Sequence, residues 1–165
     1  MTQQEVSPKR HRNSRHLARV FALLGVYQWF VDPTQDYAAI EAHLSELVNE
    51  EGEAFEGGEV LLSEFAQADK AFFRELLAGV LDRQAEIGKI VAEHVDRDLS
   101  RVSMVERSVL YLGTFELLNN LETPYRVVLN ESVELAKSFG SGNRYTNAVL
   151  ANIARAVRPE ETQQA

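Results

Sequence analysis

The sequence predicts an all-α protein, a single compact domain of about six to seven helices. Three observations carry that reading. Apolar residues recur at steps of three and four along most of the chain, the spacing of one helix face. No stretch alternates apolar and polar residues as a half-buried strand does. The 165 residues suit one domain, and 45% apolar against 25% charged residues excludes a disordered chain.

Residues 1–12 are polar, carry Pro8, and read as a flexible basic arm before a helical domain at 13–159. The first helix spans about 14–31. Ser14 is its expected N-cap, and Leu17, Val20, Phe21, Leu24, Gln28 and Val31 form its inner face. Asp32-Pro33 ends it. Asp36 caps a second helix whose apolar stripe is Tyr37, Ile40, Leu44, Leu47 and Val48. Residues 50–58, EEGEAFEGG, are a loop by glycine content and charge. The short apolar run Val60 to Phe65 reads as a brief helix.

Asp69 caps a long helix to about 95, with Phe72, Phe73, Leu76, Leu77, Val80, Leu81, Ile87, Ile90 and Val91 at helical spacing. Gly79 and Gly88 inside it serve either close packing or a bend. Ser103-Met104-Val105-Glu106 fits a capping box, in which side chains at both ends satisfy each other's orphan amides. The helix it opens runs to about 119. Thr123-Pro124 starts the next one, with Thr as cap and Pro at the first helical position. Gly140 stops it as a left-handed residue. The final helix covers about 144–157, and a polar tail, 160–165, closes the sequence.

Composition excludes several function classes. There is no cysteine, so disulfides, thiolate metal sites and a cysteine nucleophile are out. His11, His16, His43 and His94 show no metal-ligand spacing, and there is no nucleophile elbow or P-loop. Gly140-Ser141-Gly142 follows a helix and lacks a lysine, so it reads as a turn. The expectation is a non-enzyme without cofactor or metal. No apolar run approaches the roughly 18 residues of a membrane span, and no signal-peptide pattern opens the chain, so the expected compartment is the cytoplasm.

The net charge of −8 hides an asymmetry. Residues 1–19 hold Lys9, Arg10, Arg12, Arg15 and Arg19 against Glu5 alone. Residues 20–69 hold 11 acidic residues and no Lys or Arg. An acidic body with one basic end repels polyanions everywhere but at that end. At about 100° per residue, Arg12, Arg15, His16 and Arg19 fall within about 100° of one another, beside the apolar face, and the wheel places them toward solvent. Tyr27 lies on the border of that stripe. Arginine in a first helical turn opposes the helix dipole, which favours a ligand role for these charges. A single-stranded RNA reader also needs stacking surfaces. Tyr27 and Tyr145 are the candidates, Tyr145 standing next to Arg144 at the start of the last helix.

Several stretches carry a resemblance. They are Thr123-Pro-Tyr-Arg-Val-Val-Leu-Asn-Glu-Ser-Val-Glu-Leu-Ala-Lys-Ser-Phe-Gly140, then Arg144-Tyr145-Thr146-Asn147-Ala148-Val149-Leu150. To these add Val105-Glu106-Arg107-Ser108-Val109-Leu110, Phe73 to Val80, and Arg15-His16 with Arg19 and Tyr27-Gln28-Trp29. Together they resemble the bacterial NusB family of transcription antitermination factors over roughly residues 12–159; the segment 32–68 carries no likeness. The resemblance implies two packed helical halves. It also implies binding of the boxA element of nascent RNA together with NusE, a small-subunit ribosomal protein. That complex joins the RNA polymerase antitermination complex, notably on ribosomal RNA operons.

On the same resemblance, Lys9, Arg10, Arg12, Arg15, His16 and Arg19 form the phosphate-binding surface. Tyr145 is the RNA-stacking aromatic with Arg144 beside it, and Tyr27 and Glu106 belong to the RNA and NusE surface. The sequence departs from the family's pattern at Val20, Leu24 and Leu17, and at His16, which stands for another arginine. A second reading keeps the fold without RNA. It is a helical interaction module that uses the same face, extended by Leu23, Val26 and Phe30, to form a homodimer or hold a protein.

Overall fold

The computed structural model describes the backbone of residues 8–49 and 62–163, and side chains over 14–46 and 64–163. The described residues form eight α-helices and two short 3-10 helices, without a strand. In chain order they are α1 (Pro8–Val31), α2 (Tyr37–Asn49), a 3-10 helix (Leu62–Gln67), α3 (Lys70–Asp82), α4 (Gln84–His94), a 3-10 turn (Leu99–Arg101), α5 (Met104–Asn119), α6 (Tyr125–Ser138), α7 (Asn143–Val157) and α8 (Pro159–Gln163). None of these helices is long and apolar enough to cross a membrane. The loop expected at 50–58 lies outside the described residues.

α5 is the axis. It packs on α1 and α3 on one side and on α4, α6 and α7 on the other, and every residue from Ser108 to Leu117 is buried. The two halves meet on it. Close approach needs small residues at the crossing. A Cβ on Gly79 would stand 2.2 Å from the Phe115 ring, so α3 and α5 touch through that position. Gly79 and Gly88 are thus packing glycines; Gly88 lies under the Tyr111 hydroxyl. The break in the expected long helix falls instead at Arg83, where φ −109°, ψ 19° separates α3 from α4.

Several helix signals act as expected. Asp36 accepts from the Ala39 amide, and Asp69 from the Phe72 amide. Gly140 has φ +72° and ends α6. Others are corrected. α1 begins at Pro8, so Ser14 is inside the helix and not its cap. There its carbonyl accepts the Asp69 amide. Val31 is 58% exposed and leaves the core. α6 begins at Tyr125 with Pro124 as the capping position and no side-chain cap from Thr123. The Tyr125 amide is satisfied from far along the chain, by Glu161 at 2.8 Å. Residues 160–163 of the expected polar tail, with Pro159, form helix α8, and 164–165 lie outside the described residues.

Two buried arginines tie the helices to α5. Arg158 donates through Nε to the Leu117 carbonyl and through Nη2 to those of Glu116 and Asn120. Its Nη1 reaches the Thr123 carbonyl and Glu161. The last carbonyls of a helix have no partner within it, and a cation there also suits the dipole. Arg158 supplies both.

Arg19 is the second, and here the helical wheel misleads. Its side chain is 5% exposed, and it grips Glu116 with two parallel bonds, Nε to Oε2 at 2.8 Å and Nη2 to Oε1 at 2.9 Å. Glu131 of α6 stands 3.8 Å from Nη1. The wheel assumes one buried face, but α1 is buried all round from Leu17 to Val26. Arg19 and Phe30 both meet α5, at Glu116 and Tyr111. Leu23 and Val26 between them are core residues and extend no docking face.

Removing one partner of a buried ion pair strands the other's charge. Arg19→Ala or Glu116→Ala should therefore cost about 3–5 kcal/mol, read from the urea midpoint at unchanged slope. A loss below about 1 kcal/mol would show the pair to be solvated.

Candidate nucleic-acid interface

The candidate residues fall into two groups. The first lies at the junction of α1, α3 and α6. Arg15 stacks its guanidinium 3.7 Å from the Phe72 ring centroid and stands 4.0 Å from the Asp69 carboxylate. A third of its side chain remains exposed. His16 approaches Glu131 at 3.2 Å and is similarly a third exposed. The His16 contact, together with the nearby Arg19 charge, outweighs burial and holds the Glu131 carboxyl below its ordinary range. Lys9, Arg10 and Arg12 have side chains outside the described residues.

Arg19 is withdrawn from this surface. Helical angle and the family resemblance both grouped it with the stripe, but its charge is held inside on Glu116. Hydrogen bonding and charge from Glu116 more than offset the cost of burial, so the guanidinium is held above its ordinary range. Its proton stays on at any physiological pH.

The second group gathers where the α4–α5 connection meets the start of α7. Tyr145 is partly buried against the core. Its hydroxyl donates to Asp96 Oδ1 at 3.2 Å, and the Arg97 guanidinium lies over its ring at 4.5 Å. Burial first, and the Asp96 charge, lift the phenol above its ordinary range against the pull of Arg97. Arg144 is exposed one position earlier. Arg97, which sequence reasoning did not single out, completes this cluster. Nothing in the spacing of a connecting loop marks a residue that reaches a helix 48 positions away, although Tyr145 itself was legible.

Glu106 sits on the same rim, and its role differs from the expected box. Ser103 Oγ accepts the Glu106 amide at 3.1 Å as a cap should. The Glu106 carboxylate does not return the bond. It accepts the Gly142 amide at 3.1 Å, fixing the turn that launches α7 and hence Tyr145. Tyr27 is half-buried on the C-terminal half of α1. Three residues beyond it, Phe30 carries the Arg107 guanidinium at 5.4 Å, so this part of α1 runs beside the start of α5. Along α1, Arg15 and Tyr27 are about 18 Å apart at 1.5 Å per residue, a distance that several nucleotides span.

Comparison with known proteins settles the family. The NusB family model matches residues 16–155. The chain belongs to the NusB family. The transcription antitermination protein NusB of Dechloromonas aromatica is 42% identical over 152 residues, 91% of this chain and 83% of that protein. Its counterpart in Bordetella pertussis is 39% identical over 159 residues, 93% and 94% of the two chains. Among solved structures, NusB of T. maritima superposes with a TM-score of 0.67 at 23% identity, covering 96% and 99%. A NusB chain crystallised with NusE and double-stranded RNA also gives 0.67, at 20% identity and 91% and 99% coverage. At these identities the structures establish the NusB fold.

Two expectations follow from the geometry. Glu106→Ala frees the Gly142 amide, so hydrogen exchange at Gly142 should accelerate while Glu106→Gln, which keeps an acceptor, holds the native rate. Equal rates in both would remove the latch. The depressed Glu131 pKa contributes stability that is full above its ordinary 4.5 and is lost as pH falls through the lower native value. Glu131→Gln should therefore flatten part of the stability loss as pH falls below that ordinary value, and parallel unfolding curves for the two proteins would refute that.

Proposed function

We infer that this protein is a transcription antitermination factor. It binds boxA-type single-stranded RNA together with the ribosomal protein NusE and joins the RNA polymerase antitermination complex, notably on ribosomal RNA operons. The observation that carries this is the NusB match across residues 16–155, backed by relatives near 40% identity that are named transcription antitermination proteins. The work is binding rather than catalysis, and nascent RNA places it in the cytoplasm.

On this reading the phosphates follow the basic end of α1, at Lys9, Arg10, Arg12, Arg15 and His16, while Tyr145 with Arg144 takes a base. Arg15 supports its assignment by remaining a third exposed in spite of its contacts. Tyr27 and Glu106 face the shared RNA and NusE surface. Glu106 has one carboxylate oxygen engaged by Gly142, which leaves the other for a partner.

Fluorescence anisotropy with a boxA-type RNA and a scrambled one, with and without NusE, tests this. Binding should be tighter for boxA and tighter again with NusE. About four neutralised phosphates predict a log–log salt slope near −3. Arg15→Glu should weaken binding with helicity intact, and Tyr145→Ala should cost about 1–3 kcal/mol of affinity. Binding of NusE with no RNA binding under any condition would leave a protein-interaction module instead.

A further inference from the structure

We propose that Arg97 is an RNA-contacting residue: its guanidinium and the Tyr145 ring are the two walls of a slot that admits one nucleobase, and Asp96 holds the slot shut when RNA is absent. This rests on the single-stranded RNA reading above and adds to it a residue, a geometry and a closed state.

The closed state is on the page in four contacts. Arg97 lies over the Tyr145 ring at 4.5 Å. Asp96 accepts from Arg97 Nε at 2.8 Å and faces its Nη2 at 3.5 Å. The same Asp96 Oδ1 accepts the Tyr145 hydroxyl at 3.2 Å. One carboxylate thus fastens both walls together. Tyr145 is also backed by the core, so the surface that Arg97 covers is the surface a base would need. A base reaches Tyr145 by displacing Arg97 or by entering beneath it.

The chemistry favours entry beneath it. Guanidinium planes stack on bases as aromatic rings do, so Arg97, on lifting, exchanges its contact with the ring for one with the base. The latch is weak enough to open. The Arg97 and Asp96 side chains are 43% and 70% exposed, and exposed ion pairs contribute little. A cation over an exposed ring is also a modest attraction. Opening separates Asp96 from the tyrosine hydroxyl and moves a carboxylate away from where phosphates arrive. Placement is firm on both sides. Asp98 caps the turn after Arg97 by accepting the Ser100 amide, and Glu106 anchors Gly142 ahead of Tyr145.

The test is anisotropy of fluorescein-labelled boxA-type RNA on the full chain with NusE, at several salt concentrations. Arg97→Ala and Arg97→Lys should each weaken binding about fivefold, with melting temperature and salt slope unchanged. Lysine keeps the charge but has no plane to stack. Asp96→Ala should tighten binding more than Asp98→Asn, which makes the same charge change without touching Tyr145. Full affinity in Arg97→Lys with a shallower slope in Arg97→Ala would make Arg97 a phosphate contact and overturn the slot. Tighter binding by Arg97→Ala would make it a plug, which also overturns it. Either result leaves the RNA-binding reading standing. A wild-type protein that binds no RNA removes both.

Discussion

The fold is arranged around a charged pair held almost entirely out of solvent. Arg19 on α1 and Glu116 on α5 meet in a bidentate grip at the centre of the contact between the two halves. Burying two ions is costly, and the pair compensates only while both are present and their other sites are filled. That requirement fixes more than distance. A guanidinium fork matches a carboxylate in one plane, so the rotation of α1 about its own axis is set. With the rotation set, Arg15 falls against Phe72 of α3 and His16 against Glu131 of α6. The exposed chemistry at the basic end is thus a consequence of the buried chemistry one turn further on.

Glu116 serves twice. Its side chain takes Arg19 and its carbonyl takes Arg158. Two arginines from the two extremes of the described fold therefore converge on a single residue in the middle of α5. Apolar packing alone would leave α1 free to slide or turn against α5. These directional bonds choose one register.

The sequence is a good guide to helices whose signals are local. Asp36, Asp69 and Gly140 act within four residues of themselves, and each does what its type suggests. It is a poor guide wherever a distant residue supplies the missing bond. Thr123 looks like a cap because nothing nearby reveals that Glu161 already serves Tyr125. Glu106 looks like half of a box because Gly142 is 36 positions away. Arg19 looked solvated because a wheel grants a helix one buried side. The warning was present in the residues that follow it: from Val20 to Val31 there is no charge at all, the mark of a helix enclosed on every side. For the proposed site, Tyr145, Arg144 and Arg15 were nominated from type and neighbourhood. Arg97 was not, since its partner lies across two connections.

The Arg158 clasp has a consequence for synthesis on the ribosome. The carbonyls it closes at Leu117 and Glu116 precede it by 41 and 42 positions. At about 5–20 residues per second, α5 emerges about two to eight seconds before its cap is made. For that interval the Leu117 carbonyl lacks its Arg158 bond, while Glu116 already holds the Asn120 amide. The Arg19–Glu116 pair is complete before the clasp, so the C-terminal end is the last part of the fold to be tied to α5.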